Sequence, residues 1–150
     1  MMKTKPAFTL LMAVMISSIL LALGYEIYNL AVKEVTLSSS GRESQFAFFA
    51  ADTGVECSLY SDGKLDAFAT SSPLTSIACG TATSSLTRLV SGTQYITTFS
   101  FSLGAGLNTQ CVDVKVTRDE PRRTTIESYG HNTCDLTNPL RLERAIRVTY

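Results

Sequence analysis

The stretch AFTLLMAVMISSILLALGY, residues 7–25, decides the architecture of this chain. It holds 19 consecutive residues without a charge, and 15 of them are apolar. In an α-helix, about 20 such residues at ~1.5 Å each span the hydrocarbon core of a bilayer. Lys3 and Lys5 precede the stretch, and the first charge after it is Glu26. Because positive charge favours the cytoplasmic side, we predict a single-pass membrane protein with a cytoplasmic N-terminus and an extracytoplasmic remainder.

Composition narrows the possible classes of protein. The chain has 150 residues, with 13 basic and 13 acidic side chains and therefore no net charge. This balance excludes a broadly basic nucleic-acid-binding protein and a strongly acidic disordered one. The mean hydropathy of +0.14 comes chiefly from residues 7–25, so the rest has the composition of one ordinary domain. We predict no nucleic-acid partner.

Helical character continues beyond the apolar stretch. No proline occurs between Tyr25 and Tyr60, and apolar or small residues recur there at helical spacing. We predict one helix from Phe8 to about Leu59, with a bend or a junction at the weak helix formers of residues 38–41. The residues on one side of its second half are Phe46, Phe49, Ala50, Thr53, Cys57 and Tyr60.

The C-terminal part changes to a period of two, which is typical of strands. Residues 61–92 are rich in Ser, Thr, Gly and Ala and predict a looped connection with short elements. Alternating side chains then predict strands over 94–103, 112–117, 124–129 and 142–150. Short connections favour antiparallel pairing. The predicted fold is α+β: a long N-terminal helix packed against a C-terminal antiparallel sheet of about four strands.

The sequence KTKPAFTLL, residues 3–11, resembles the type III signal of type IV prepilins and pseudopilins. That signal is a short basic leader, a small residue and then Phe-Thr-Leu at the start of the apolar helix. The resemblance implies that a membrane aspartyl peptidase cuts between Ala7 and Phe8 and methylates the new amine of Phe8. It divides the chain into a leader (1–7), a transmembrane half of the helix (8–27) and an extracytoplasmic pilin-like head (28–150).

Two positions depart from the usual pattern of this family. Ala7 stands where Gly is usual before the cut, and Met12 stands where the fifth mature residue is usually Glu. Family members without that Glu are typically minor components. Residues 45–54, QFAFFAADTG, are also similar to the segment after the anchor in PilX-type minor pilins.

The resemblance therefore implies a minor, non-enzymatic structural subunit of a type IV pilus-like or type II secretion-like filament. Its implied partners are other pilin or pseudopilin subunits, the prepilin peptidase, the inner-membrane assembly machinery and the lipid bilayer. Two alternatives remain open. One is a membrane-anchored extracytoplasmic binding module that does not polymerise. The other is a secreted domain cut by signal peptidase near residues 22–24.

Four cysteines follow the apolar stretch: Cys57, Cys79, Cys111 and Cys134. Their separations of 22, 32 and 23 residues include no Cys-x-x-Cys, which disfavours a zinc site. An even number of cysteines outside the cytoplasm favours disulfides. Of the three possible pairings we predict the sequential one, Cys57–Cys79 and Cys111–Cys134, with reduced thiols as the alternative.

Residue patterns that support catalysis are sparse. His131 is the one histidine, in a Gly-His-Asn setting typical of a turn, and no Gly-x-Ser-x-Gly motif occurs. We predict no catalytic residue, no metal and no cofactor. Acidic residues dominate 26–62, whereas Arg141, Arg144 and Arg147 lie near the C-terminus. These charges form solvated faces or, alternatively, dock an acidic helix on the basic sheet edge of a neighbouring subunit.

Overall fold

A computed structural model describes residues 6–119 and 123–150. The predicted leader residues 1–5 and the side chain of Ala7 lie outside this described part. The chain divides into two compact units, the first ending at Ser40 and the second comprising Gly41–Tyr150. The boundary falls inside the Ser-Ser-Ser-Gly run of residues 38–41.

Helix α1 spans Pro6–Leu65. Proline is favoured in the first helical turn because its φ is already helical and its missing N–H would have no partner there. The helix ends where Asp66 adopts a positive φ of 46°. The predicted end near Leu59 was six residues too early. Ser61 and Asp62 are buried in the head, and this tertiary packing extends the helix through a polar stretch.

In the described residues after the helix there are seven strands, and all of them pair antiparallel. β1 and β2 form a separate hairpin, and the main sheet has the order β3-β4-β5-β6-β7. The α+β fold is confirmed, and β4–β7 are the four strands that the sequence predicts. The strand bounds are Ser76–Cys79 (β1), Ala82–Ser85 (β2), Thr87–Ser91 (β3), Gln94–Ser102 (β4), Cys111–Asp119 (β5), Arg123–His131 (β6) and Glu143–Thr149 (β7).

The second half of α1 covers one face of the main sheet, which we call the inner face. Side chains at alternate positions of β4, β5 and β6 form its core: Phe99, Phe101, Val112, Val114, Val116 and Ile126. The helix meets them with small residues, because Ala47, Ala50 and Ala51 are completely buried. The backbones approach very closely at Gly130 of β6. A Cβ placed on Gly130 would lie 2.1 Å from the carbonyl oxygen of Ala47 and 2.2 Å from the amide nitrogen of Ala51.

This contact predicts a large penalty for Gly130→Ala. The clash is with helix backbone, which cannot rotate away, so we expect a loss of about 3 kcal/mol or more in the free energy of unfolding. Thermal unfolding of the full chain in a mild detergent, followed by far-UV circular dichroism, measures it. Gly63→Ala is the matched control, because Gly63 lies in the same helix with nothing within 4 Å of its added Cβ. The control should be neutral or stabilising by up to about 1 kcal/mol. Equal stability of the two variants would contradict the close approach of the α1 backbone to Gly130.

Candidate assembly interface

The first unit presents an apolar helix with nothing packed on it. Every described side chain from Phe8 to Tyr28 is exposed. α1 is long and apolar enough to cross a membrane, and none of its most apolar window is buried. Exposed apolar surface of this extent is not stable in water and marks a membrane or protein contact. We call the segment Phe8–Leu37 the apolar stem.

Both serine hydroxyls in the uncharged part of the stem are satisfied within the helix itself. Ser17 Oγ donates to the carbonyl of Ala13 at 2.6 Å, and Ser18 Oγ donates to that of Met15 at 2.8 Å. In hydrocarbon, where no water is available, a polar group needs such an internal partner. These two serines are therefore compatible with a lipid environment.

The predicted processing site lies at the start of this helix. The bond between Ala7 and Phe8 is one residue beyond Pro6, the first residue of α1. Phe8 and Met12 are both exposed members of the apolar stem. Between Phe8 and Tyr25 the stem contains no carboxylate.

The head carries a second exposed apolar feature on the outer side of α1. Phe48 and Phe49 are 49% and 61% exposed, and their rings make an edge-to-face pair with centroids 6.1 Å apart. The adjoining positions Ala47 and Ala50 are buried against the sheet. Residues 45–54 thus have two different faces: the alanines pack on the sheet, and Phe48 and Phe49 are exposed.

Two disulfides hold the head together. The structure joins Cys57 to Cys79 and Cys111 to Cys134, the sequential pairing. The first links α1 to the hairpin strand β1, and the second links β5 to the loop that follows β6. Each closes a loop of more than 20 residues, for which restriction of the unfolded chain contributes about 3 kcal/mol.

A network of hydrogen bonds around the buried Asp62 closes the far end of the head helix. One nitrogen of Arg118, Nη2, donates to both carboxylate oxygens of Asp62 at 3.1 Å, and the Tyr150 hydroxyl donates to Asp62 Oδ2 at 2.7 Å. Main-chain hydrogen bonds between Tyr150 and Thr124 complete it. Sequence reasoning missed this network, because its members lie 32 and 56 residues apart along the chain. Burial, followed by the hydrogen bond to Asp62, raises the pKa of Tyr150 above its ordinary value of 10.0.

The raised pKa of Tyr150 predicts an alkaline loss of stability. The folded state favours the protonated phenol, so its contribution is fully present below the ordinary pKa and is lost as pH rises above it. The free energy of unfolding of the native chain should exceed that of Tyr150→Phe by about 1 kcal/mol up to about pH 9. The difference should shrink above about pH 10. Thermal unfolding in detergent across this pH range measures both chains. A difference that stays constant to about pH 11 would contradict the assignment.

The three C-terminal arginines all have partners inside the head. Arg144 Nε donates to Ser44 Oγ at 2.8 Å, Arg141 Nε donates to the Thr133 carbonyl at 3.3 Å, and Arg147 lies 3.7 Å from Glu127. The acidic residues are divided. Glu43 and Asp62 bind within the head, whereas Glu26, Glu34, Asp52 and Glu56 are exposed. Docking of exposed acids on the arginines of a neighbour would therefore compete with existing contacts.

His131 is the last residue of β6 and not part of a turn, so the predicted strand end at residue 129 was two residues too early. Its ring is buried, with Nε2 3.1 Å from Asp113 Oδ2 and Nδ1 3.7 Å from Glu143 Oε2. The three side chains lie on adjacent strands, β5, β6 and β7. The ring can hydrogen-bond to Asp113 through Nε2, whereas Nδ1 has no hydrogen-bond partner among the described residues. In the described part of the chain, no three His, Cys, Asp or Glu side chains are placed to hold a metal ion.

Comparison with known proteins gives no relative: no family model, no curated protein and no solved structure matches the chain. Function must therefore be inferred from the surfaces of the molecule itself. The apolar stem and the phenylalanine pair are two exposed apolar surfaces that water solvates poorly.

Proposed function

We propose that the chain is a minor pilin or pseudopilin, a structural subunit of a type IV pilus-like or type II secretion-like filament. The observation that carries this proposal is the apolar stem, whose large apolar side chains are all exposed and which begins at Phe8 after a short basic leader. A head with its own core, two disulfides and an antiparallel sheet covered by the same helix supports it. The role is assembly and not catalysis.

The stem explains how one surface serves two states of the subunit. Before assembly, the lipid bilayer covers its apolar side chains. In a filament, the stems of neighbouring subunits cover one another, so extraction from the bilayer exchanges one apolar environment for another. The free-energy cost of extraction is then much smaller than that of exposing the stem to water.

Charge and the disulfides both support the proposed orientation. Lysines before the stem favour a cytoplasmic N-terminus. Disulfides persist in oxidising compartments, which supports an extracytoplasmic head. Met12 leaves the start of the stem without a carboxylate that would pair with the amine of a neighbouring subunit. A subunit of this kind is suited to a minor position in the filament.

Processing of the N-terminus tests the proposal directly. Coexpression with a prepilin peptidase should yield a chain that begins at N-methylated Phe8, as determined by N-terminal sequencing and intact mass. Ala7→Gly should be cut at least as well, and Ala7→Leu should block the cut, because the residue before it must be small. Retention of Met1 beside an active peptidase would instead support a plain membrane anchor. A start near Tyr25 would support a secreted domain.

Assembly tests the phenylalanine pair. Phe49→Ala should lower incorporation into sheared filaments several-fold, because an exposed aromatic side chain contributes most of its energy in a contact between subunits. Its thermal stability should stay within about 0.5 kcal/mol of the native chain, as for other surface changes. Leu89→Ala is the matched control, since Leu89 has a similar exposure of 59% against 61% but lies on the edge strand β3. Equal incorporation of both variants would exclude this face from the interface.

A further inference from the structure

The face of the main sheet opposite the helix, the outer face, is polar and grooved. Two shallow depressions of about 360 and 350 Å³ follow β4 and β5 and share Ser100 and Asp113. Lys115 lines the first depression and Arg141 the second. We call the combined groove the outer trough and define it by Thr98, Ser100, Asp113, Lys115, Tyr129 and Arg141.

Strand register brings the side chains of the trough together. Ser100 pairs with Asp113, and Asp113 pairs with Tyr129, so a hydroxyl, a carboxylate and an aromatic ring lie side by side in one row. Thr98 and Lys115 form the next row two residues along the strands. Side chains in such rows lie about 5 Å apart, which is close enough for one ligand to contact several of them.

A buried side chain fixes the carboxylate in the middle of the trough. His131, which is only 3% exposed, holds Asp113 Oδ2 at 3.1 Å. The carboxylate itself remains 57% exposed. Across residues 6–119 and 123–150, no hydrogen bond is made to Asp113 Oδ1. His131 thus holds the Asp113 carboxylate in place through Oδ2, and Oδ1 is available to accept a hydrogen bond from a ligand.

We propose that the outer trough binds a saccharide chain through vicinal hydroxyl groups. A carboxylate accepts hydrogen bonds from neighbouring hydroxyls, and the Ser and Thr hydroxyls both donate and accept. The ring of Tyr129 provides apolar surface for the face of a sugar. Lys115, which lies 3.6 Å from Glu127, and Arg141, whose Nε donates to the Thr133 carbonyl, supply their remaining N–H donors at the two ends. Ligand sites typically combine apolar lining with a few converging polar groups, and here Phe101 and Leu136 lie beside the polar side chains of the trough, which suits the mixed polar and apolar faces of a sugar.

The geometry disfavours an extended peptide in the same place. Peptides that add to sheets do so at an edge strand, where backbone N–H and C=O groups are unpaired. The trough lies over β4 and β5, which are paired on both sides, so only side chains are available. The site also lies on the face away from α1. It goes beyond the proposed function and does not depend on it, because assembly through the helix leaves the outer face open.

Saturation-transfer-difference NMR on the full chain tests the proposal. The protein is held in a zwitterionic detergent without sugar groups, and the probes are chitotetraose, cellotetraose and maltotetraose, with tetraserine as the peptide probe. We expect binding of at least one saccharide with a Kd of about 1 mM, within the range of weak specific sites. A saturation-transfer signal on tetraserine alone would overturn the proposal. So would the absence of a signal on all three saccharides at about 10 mM.

Variants assign the binding to the trough. Asp113→Asn should raise the Kd for the saccharide about tenfold, because the charge-assisted hydrogen bonds are lost. Asp52→Asn, the same change at an exposed helical carboxylate, should leave the Kd unchanged. Ser100→Phe fills the trough where the depressions meet and should abolish binding. Because Ser100 is exposed, this variant should keep the native unfolding temperature, so it remains informative even if Asp113→Asn unfolds. Native affinity in a folded Ser100→Phe variant would refute the site.

Discussion

The architecture of the head depends on how closely its helix approaches strand β6. At Gly130 there is no room for even a methyl group beside the backbone of Ala47 and Ala51. At Gly54, one helical turn beyond Ala50, an added Cβ would instead meet side chains of β5 and β6, with Ser128 Oγ and Val112 Cγ1 the nearest atoms. The backbone approach at Gly130 therefore fixes the register between helix and sheet, and the small Gly54 leaves room for the side chains that pack beside it. With this register fixed, Asp62 comes opposite Arg118.

The sequence predicts those parts of the fold whose burial is one-sided. β4 and β5 alternate because one face of each packs on the helix, and this alternation is visible in the sequence as Phe99 and Phe101 or as Val112, Val114 and Val116. β3 leaves no such signal, since all five of its residues are exposed. The hairpin is held by tertiary contacts, such as the 2.6 Å hydrogen bond from Ser84 Oγ to the Ser100 carbonyl. No local residue pattern encodes a contact of this kind.

Some site residues can also be recognised in the sequence, and others cannot. Phe8, Met12 and the cysteines can be recognised, because their interpretation depends on residue type and position in the chain. Arg88 cannot be recognised in this way, although it donates to the carbonyls of Ala67, Ser72 and Leu74 and so anchors the loop after the helix. Main-chain carbonyls occur at every residue and cannot mark a partner. The outer trough was equally invisible, because it needs three paired strands to bring Ser100, Asp113 and Tyr129 into one row.

The head completes its hydrophobic core without any residue of the stem, since the core begins at Ala50. None of the stem side chains from Phe8 to Leu37 belongs to that core, and under the proposed function a bilayer or neighbouring subunits cover them. A bilayer alone is sufficient for a permanent anchor. A filament subunit needs a stem that can leave the bilayer, which a helix whose hydroxyls are bonded to its own carbonyls can do without breaking polar contacts to lipid. Removal of the two leader lysines by cleavage before Phe8 would also remove the charges that hold the N-terminus at the cytoplasmic surface. Under the proposed function, cleavage would therefore be the step that converts an anchor into an assembly element.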